Sequence, residues 1–456
     1  MSELPAGWMT TTLEVATKVI RGITFPATAK EPVPTAENVC CLRTANIQKE
    51  VTWGDVYYVD RQYVKREEQF VQAGDILMSM ANSYELVGKV AHVKSVPSST
   101  AFGAFLSAVR PTPVIDGRYL FHFLRSDRVQ LELREGSSQT TNIANISVGR
   151  LNTIALPLAP RAEQTRIADQ LDTLLARIKA CNDHLDTIPG LLKRFRQAVL
   201  ELGLSGDLNT VLREGSAIER DAWTPTTLGE IAGIGTGSTP LRSNGSYFAP
   251  SGTPWITSAA TGSRYVDQAQ EYVTPAAIAA HRLKVYPPGT LLVAMYGEGK
   301  TRGQVSELRI HATINQACAA VTVDTALART AFVKLALLVQ YEQMRAMAEG
   351  GNQPNLNLSK VKAIPILLPP LREQDEIIRS VESLLRQAEA IEVHYNAIRE
   401  QAHRLPSQVL TKAFRGELVP QDPNDEPASA LLARISAATV QAAAPARKRK
   451  PKTHAN

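Results

Sequence analysis

One stretch of the chain occurs twice, and this duplication limits what the chain can fold into. Residues 163–208 align without a gap with residues 373–418, at a constant offset of 210 positions (373 minus 163). Each copy begins with Glu-Gln and ends with Gly, an acidic residue and Leu. Apolar residues recur in alternating steps of four and three, which is the period of a left-handed coiled-coil seam. The sequence therefore predicts two matched long helices packed against each other.

The predicted seam consists of the apolar residues in this heptad register: Leu171, Leu174, Ile178, Leu185, Ile188 and Leu192 in the first copy, and Val381, Leu384, Ile391, Tyr395, Ile398 and Leu405 in the second. Two unrelated amphipathic helices on separate cores are the alternative, which the gapless match disfavours. Pro189 and Pro406 fall inside the predicted helices. Because proline removes a backbone donor, each is expected to kink its helix or end it.

The repeat extends beyond the helices to the residues that precede them. Trp8 matches Trp223 at an offset of 215 positions (223 minus 8), and residues 74–80 match residues 289–295 at the same offset. The sequences of the two modules differ most in their middle parts, whereas the residues at the ends of the modules and in the long helices match. The chain is therefore two copies of one plan, in which a module of about 150 residues precedes a long helix.

Short strands and one longer helix are predicted within each module. Residues 75–80 and 290–295 are apolar runs typical of buried strands, and both are followed by tips rich in Gly or Asn. Helices are predicted over residues 119–134 and 331–348, each with a glycine just beyond its end. Each module is therefore predicted to be α+β.

Composition and charge restrict the class of protein. A net charge of +6 and a pI near 9.0 permit an acidic partner such as nucleic acid. The amino terminus lacks the features of a secretory signal, and no apolar run approaches the ~20 residues of a membrane span. The four cysteines show no C-x-x-C spacing. We expect a reduced cytoplasmic protein without membrane association.

The sequence offers few residues for catalysis. Residues 297–301 resemble a phosphate-binding loop, but Ala294 occupies the position at which G-x-x-x-x-G-K-[ST] requires glycine. The eight histidines are scattered, without a metal-ligand spacing. We therefore expect no catalytic residues, no metal site and no cofactor on this chain.

These features together resemble the specificity subunit of Type I restriction-modification enzymes. The similarity lies in the order of modules and helices, in Leu-Lys-Arg-Phe-Arg-Gln-Ala-Val-Leu at 192–200, in Met-Tyr-Gly at 295–297 and in the proline-rich segment 420–427. Residues 82–85 depart from the family's Tyr-Gly-x-x-Gly form at the first tip. The resemblance implies an α+β chain with two similar target recognition domains, joined by two long helices that form an antiparallel coiled coil with a pseudo-two-fold repeat.

The implied domains follow one another along the chain. They are target recognition domain 1 (1–155), the first conserved long helix (156–208), target recognition domain 2 (209–365), the second conserved long helix (366–419) and a carboxy-terminal extension (420–456). A short helix is predicted from 428 to 435. The basic run at 447–452 could bind phosphates, but ends of this composition are more often solvated and disordered.

The resemblance also implies the function and the partners. The chain would read a bipartite target in double-stranded DNA, one domain per half-site, and would itself be non-catalytic. It would be a scaffold for two methyltransferase subunits and two restriction/translocase subunits, which would bind S-adenosylmethionine, ATP and Mg. The alternative is a duplicated coiled-coil adaptor that binds only proteins. A self-contained methyltransferase or nuclease is disfavoured, since its cofactor motifs are missing.

Candidate DNA-binding residues are polar side chains on predicted loops, because Arg, Lys, Asn, Gln, Ser and Thr read base edges. In the first module they are Arg43, Asn46, Asn82, Ser83, Tyr84, Lys89 and Gln139, and in the second they are Arg242, Asn244, Tyr247, Lys300, Thr301, Arg302 and Gln353. Any one of them could instead be a solvated loop residue or a capping group.

Overall fold

The computed structural model of the chain describes residues 4–48, 50–139, 143–208, 223–297, 300–347 and 355–443. The chain folds into two compact units. The first unit contains Met1–Leu185 and Ile398–Asn456, and the second contains Asp186–Ala397. Each unit thus holds one module together with segments of both long helices. This grouping differs from the sequential division predicted above, because each module packs against the start of one long helix and the end of the other.

Most helices are short, and the long ones lie where the repeat predicts them. The first unit contains α1 (Leu13–Ala16), α2 (Gly117–Leu124), α3 (Asp127–Glu135), α4 (Val148–Asn152), α5 (Arg161–Leu185) and α13 (Ala428–Ala443). The second contains α6 (Ile188–Leu204), α7 (Leu228–Ile231), α8 (Pro275–His281), α9 (Thr330–Val339), α10 (Tyr341–Met347) and α11 (Leu358–Lys362). Helix α12 (Leu371–Phe414) contributes residues to both units.

The strands of the first unit form four small sheets, with orders β2-β9-β5-β7, β4-β3-β8, β10-β11-β6 and β1-β12. Their bounds are β1 (Met9–Thr12), β2 (Thr17–Arg21), β3 (Asn38–Leu42), β4 (Tyr57–Asp60), β5 (Ile76–Ser79), β6 (Ala81–Asn82), β7 (Val90–His92), β8 (Thr100–Phe102), β9 (Leu106–Pro111), β10 (Ser138–Gln139), β11 (Ala144–Asn145) and β12 (Ala155–Leu158).

The second unit repeats this plan with sheets of order β14-β22-β19-β20-β17, β15-β18-β16-β21 and β13-β23. Its strands are β13 (Thr224–Thr227), β14 (Ala232–Thr236), β15 (Phe248–Ala249), β16 (Thr253–Ile256), β17 (Tyr265–Val266), β18 (Glu271–Val273), β19 (Leu291–Ala294), β20 (Val305–Leu308), β21 (Thr313–Ile314), β22 (Cys318–Val323) and β23 (Pro365–Leu368). The pairing is conserved in detail: β3 pairs antiparallel with β4 and parallel with β8, just as β16 pairs with β18 and β21. The predicted duplication and α+β class are confirmed.

The two strands predicted to be buried are confirmed as β5 and β19, whose residues are all buried. The helix predicted over residues 119–134 is instead two helices, α2 and α3, separated at Arg125 and Ser126. The Ser126 hydroxyl donates to the Phe123 carbonyl at 2.7 Å, a local bond that competes with helix continuation. The helix predicted over 331–348 is likewise divided, into α9 and α10.

The two prolines have different effects on the long helices. The first predicted long helix is broken between α5 and α6, and Pro189 lies in the first turn of α6, where its missing N–H breaks no hydrogen bond. Pro406 lies inside α12 without ending it. The break beside Pro189 therefore agrees with the expectation for this proline, whereas Pro406 does not end the second helix, which is continuous over 44 residues.

Within each unit the helix segments run antiparallel. In the first unit, Ile167 and Leu171 near the start of α5 share a core with Leu410 and Ala413 at the end of α12. In the second unit, the end of α6 meets the start of α12. A Cβ atom added to Gly203 would lie 2.5 Å from Val381 Cγ2, so glycine is what permits this close approach.

One of the two predicted heptad positions is mostly buried. In α12 this position holds Val381, Ala388, Tyr395 and Ala402, and in the first copy it includes Leu171, Leu185 and Leu192. Residues Leu174, Ile178, Ile188 and Leu384 are half-buried. Contrary to prediction, Ile391, Ile398 and Leu405 are exposed by 51%, 50% and 41%. The reason is geometric, since a helix with one partner turns only part of its apolar face inward.

In the first unit, the repeated Trp and Glu-Gln residues meet in what we call the first clamp (Trp8, Glu163 and Gln164). Trp8 Nε1 donates to Glu163 Oε2 at 2.9 Å, and Glu163 is only 1% exposed. Burial raises the pKa of the Glu163 carboxyl. Gln164 Oε1 accepts from the backbone N–H of Asp116 at 2.7 Å, and its amide donates to two backbone carbonyls. The first clamp thus ties the first module to the start of α5.

The second clamp (Trp223, Glu373 and Gln374) makes the same contacts within the second unit. Trp223 Nε1 donates to Glu373 Oε2 at 3.0 Å. The buried Gln374 accepts from the backbone N–H of Arg329 at 2.8 Å and donates to the Pro369 carbonyl at 2.7 Å. The residues that the sequence repeats are therefore those that join each module to its helix.

The extension after α12 is part of the first unit's core. Gln421 donates to Glu163 Oε1 at 2.7 Å, Asp425 accepts from Arg166 at 2.6 Å, and the backbone N–H of Ala428 donates to the Gly7 carbonyl at 2.9 Å. The predicted short helix is confirmed and extends to Ala443. The basic run at 447–452 lies outside the described residues.

Because the two clamps are buried to different extents, we expect loss of the tryptophan hydrogen bond to lower stability more in the first clamp than in the second. We expect Trp8→Phe to lower the free energy of unfolding by about 1–3 kcal/mol, because one donor to a buried carboxylate is lost. The matched control is Trp223→Phe, whose partner Glu373 is only half-buried, so water can replace the indole and the cost is smaller. Urea unfolding of both variants measures the difference. A larger loss for Trp223→Phe would contradict this ranking.

Candidate nucleic-acid interface

In the first module, three strands bring two candidate amides to one surface. Ala144 on β11 pairs with Asn82 on β6 and with Gln139 on β10. Residues directly opposite one another in a sheet point to the same face, so the Asn82 and Gln139 side chains flank Ala144 on one side. The outer strands of three are about 9–10 Å apart. Gln139 is exposed on this sheet, whereas the half-buried Asn82 donates from Nδ2 to Ser79 Oγ at 3.3 Å and accepts at Oδ1 from the backbone N–H of Ser83 at 2.9 Å.

The tip after β6 joins this sheet to a second loop. Ser83 begins a turn, in which its carbonyl accepts from the backbone N–H groups of Leu86 and Val87. Tyr84 on the turn is 40% exposed. Lys89 Nζ donates to Gln48 Oε1 at 2.8 Å and so connects the tip to the loop over residues 43–54. The structure thus gathers candidates from three chain segments.

Two candidates in the 43–54 loop already have partners. The buried Asn46 accepts from the backbone N–H of Arg43 at 2.9 Å and donates to the carbonyls of Thr52 and Gly54 at 3.0 Å each. Asn46 therefore holds its own loop together and is not placed to reach a base. Arg43 forms an ion pair with Asp55. Asn46 is therefore better described as a capping residue of its own loop than as a residue that reads a base.

In the second module, one group of candidates surrounds β15 and β18. Arg242 donates two parallel hydrogen bonds to Glu271, of 2.7 and 2.9 Å. These bonds lower the pKa of the Glu271 carboxyl. Asn244 accepts from Ser246 and caps the turn that follows it, so it too has a local role. The half-buried Tyr247 packs edge-on against His281, with ring centroids 5.2 Å apart.

The second group follows β19. Lys300 is exposed, and its carbonyl accepts from the Tyr341 hydroxyl at 2.6 Å, which attaches the tip to α10. Thr301 and Arg302 are half-buried. Gln353 lies outside the described residues. The candidates of the second module thus occupy two separate segments, one on the four-stranded sheet and one beside α10.

Two acidic residues that the sequence did not indicate form ion pairs with two of the candidate arginines. Asp55 pairs with Arg43, and Glu271 pairs with Arg242. Arg242 lies in a turn and Glu271 lies on β18, 29 residues further along the chain, so only the tertiary fold brings them together. No local sequence signal could have indicated this contact.

Neither a metal-binding cluster nor an activated buried thiol occurs among the described residues. Among them, no group of three or more His, Cys, Asp or Glu side chains could hold a metal ion. Burial raises the pKa of the Cys41 and Cys318 thiols to about 12, so neither is an activated nucleophile.

Among the described residues, no helix is long and apolar enough to cross a membrane.

Comparison with known proteins identifies the repeated architecture. The family model of the Type I restriction modification DNA specificity domain matches the chain twice, at residues 14–188 and 220–400. The chain is 29% identical over 453 residues to the Type I restriction enzyme StySPI specificity subunit of Salmonella potsdam, covering 95% of this chain and 96% of the relative. It is also 29% identical over 460 residues to the EcoKI specificity subunit of Escherichia coli strain K12, with the same coverage.

Two solved structures share the fold. The HsdS subunit of Thermoanaerobacter tengcongensis superposes with a TM-score of 0.64 at 18% identity, covering 91% of this chain and 98% of that one. A chain from a structure of type I R-M complex assembly and conformational transition gives a TM-score of 0.64 at 19% identity, covering 92% and 100%. Because the two matches of the family model together span well over half of the sequence, the chain belongs to the Type I restriction-modification specificity subunits.

Proposed function

We propose that each module of this DNA specificity subunit reads one half of a bipartite target independently of the other. The proposal rests on the contrast between the framework that the two modules share and the loops in which they differ. The two modules share strand pairing and clamps, whereas the polar residues on their loops differ. A common framework presents two similar surfaces to DNA, and different loop residues select different bases.

The base-reading residues proposed for the first half-site are those on the three-stranded sheet and its tip: Ser83, Tyr84, Lys89 and Gln139. Gln pairs best with adenine, and Lys can contact guanine or a phosphate. For the second half-site we propose Arg242, Lys300, Thr301 and Arg302. Asn46, Asn82 and Asn244 are omitted, because their polar atoms are bonded to neighbouring residues.

We also propose that catalysis belongs to partner subunits. Methyltransferase and restriction/translocase subunits, two of each, would carry S-adenosylmethionine, ATP and Mg in the cytoplasm. Exposed apolar side chains on the long helices support protein partners. In the second unit Leu191, Phe195, Ile391 and Val393 are exposed, and in the first unit Ile398 and Leu405 are. Contiguous exposed apolar patches mark interaction sites, and we propose that these side chains contribute to such a patch. The same chain would thus bind both DNA and protein, whereas the alternative, a duplicated coiled-coil adaptor, would bind only proteins.

The first prediction concerns catalysis by the chain alone. The purified chain, incubated with S-adenosylmethionine and unmodified host DNA, is expected to transfer no methyl groups, because its sequence has no glycine-rich cofactor loop and burial raises the pKa of the buried thiols in the described residues. The control is the same preparation after addition of its methyltransferase subunits, which should restore transfer. Methyl transfer that survives repeated purification of the isolated chain would refute the scaffold role.

The second prediction tests the independence of the modules. Residues 17–147 are replaced by the equivalent segment of a relative, which leaves Trp8, Glu163 and Gln164 in place. Because Gln164 bonds only to backbone atoms of the module, the clamp should form around the new segment. Strand-resolved methylation mapping should show one half of the target changed and the other retained. The reciprocal replacement of residues 232–357 serves as the matched control and should change only the other half. Simultaneous change of both halves would show that the modules do not read separately.

A further inference from the structure

The Arg242–Glu271 pair has the geometry of a preorganised recognition element. Two parallel hydrogen bonds fix the guanidinium and the carboxylate side by side in one plane. The guanidinium also lies 5.2 Å from the ring centroid of Phe248 and 5.5 Å from that of Trp255. The pair therefore has little freedom to rotate, although it is attached to a loop.

The pair nevertheless remains accessible. The Arg242 side chain is 60% exposed and that of Glu271 is 36% exposed. A shallow pocket of about 320 Å³ opens beside them, with Phe248, Gln270 and Tyr272 in its walls. An ion pair whose only role was to stabilise the fold would not need an open pocket with aromatic walls next to it. The surroundings suit a flat, polar partner.

The hydrogen-bonding groups left free on the pair define that partner. A guanidinium has five N–H groups, of which two are used here, and each carboxylate oxygen keeps a lone pair. The pair thus presents donors from Arg242 directly beside acceptors from Glu271. In the major groove, a G·C pair presents the N7 and O6 acceptors of guanine beside the N4 donor of cytosine. An A·T pair presents acceptor, donor and acceptor in turn, which matches this arrangement less well.

We propose that Arg242 and Glu271 together read a single G·C base pair, with Arg242 on guanine and Glu271 on cytosine. This inference rests on the proposed function, since it assigns the pair to the second half-site. It adds Glu271 as a specificity-determining residue and names the base pair that the two side chains recognise.

The test uses the full chain in complex with its methyltransferase subunits. The variants are Arg242→Ala, Glu271→Ala and the double variant. Binding is measured on duplexes in which each base pair of the second half-site is changed singly. Each single variant should lower discrimination by roughly 5- to 150-fold at one position, where the parental complex prefers G·C, and at the same position for both. The double variant should lose little more than either single one, because the two side chains act as a unit.

Two controls separate recognition from folding. Arg434 and Glu426 form a similar exposed pair in the first unit, with hydrogen bonds of 2.9 and 3.1 Å, so Arg434→Ala should leave every position unchanged. Discrimination at the first half-site, measured on the same samples, shows that each variant is folded and assembled.

Other outcomes would overturn the inference. An equal loss on all sequences would make Arg242 a phosphate contact. A loss of stability with unchanged base preference would show that the ion pair only attaches the loop to β18. If the parental complex itself shows no preference in the second half-site, the proposed function fails rather than this assignment alone.

Discussion

The structure depends most on one buried interaction that occurs twice, the contact of a tryptophan and a Glu-Gln pair at the start of each long helix. Glu163 and Gln164 are almost completely buried, and such groups are stable inside a protein only when their hydrogen bonds are satisfied. Trp8 and Gln421 donate to the carboxylate, and the backbone of the module satisfies the amide. A buried polar contact of this kind has one geometry, so it fixes how the module sits on its helix.

The clamp also explains how the two modules can diverge while their plan is conserved. Gln164 and Gln374 bond to backbone N–H and carbonyl groups, which every residue type supplies. The attachment of a module therefore places little constraint on the side chains of its loops. The residues of β6, β10 and β18 can change without altering the join, and an altered loop changes which bases are contacted. Duplication followed by divergence of the loops is what this architecture permits.

The sequence predicts those features that rest on repetition and periodicity. The gapless repeat indicated the long helices, the matched tryptophans and the Glu-Gln pairs, and apolar runs located β5 and β19. It did not predict the exposure of Ile391, because that depends on how the helices pack. Nor could it separate Asn46 and Asn82, whose amides are bonded to neighbouring residues, from Gln139, which is exposed on the three-stranded sheet. Glu271 was missed for a related reason, since its partner Arg242 lies in a loop 29 residues away in the chain.

The most direct test of this account is the effect of each clamp on each half of the DNA target. Gln164→Ala and Gln374→Ala each leave buried backbone groups without a partner in one unit. Strand-resolved methylation mapping of hosts that carry either variant would show which half of the target loses definition. We expect Gln164→Ala to relax only the half read by the first module, and Gln374→Ala only the other half. Relaxation of both halves by either variant, or of neither half by both, would contradict it.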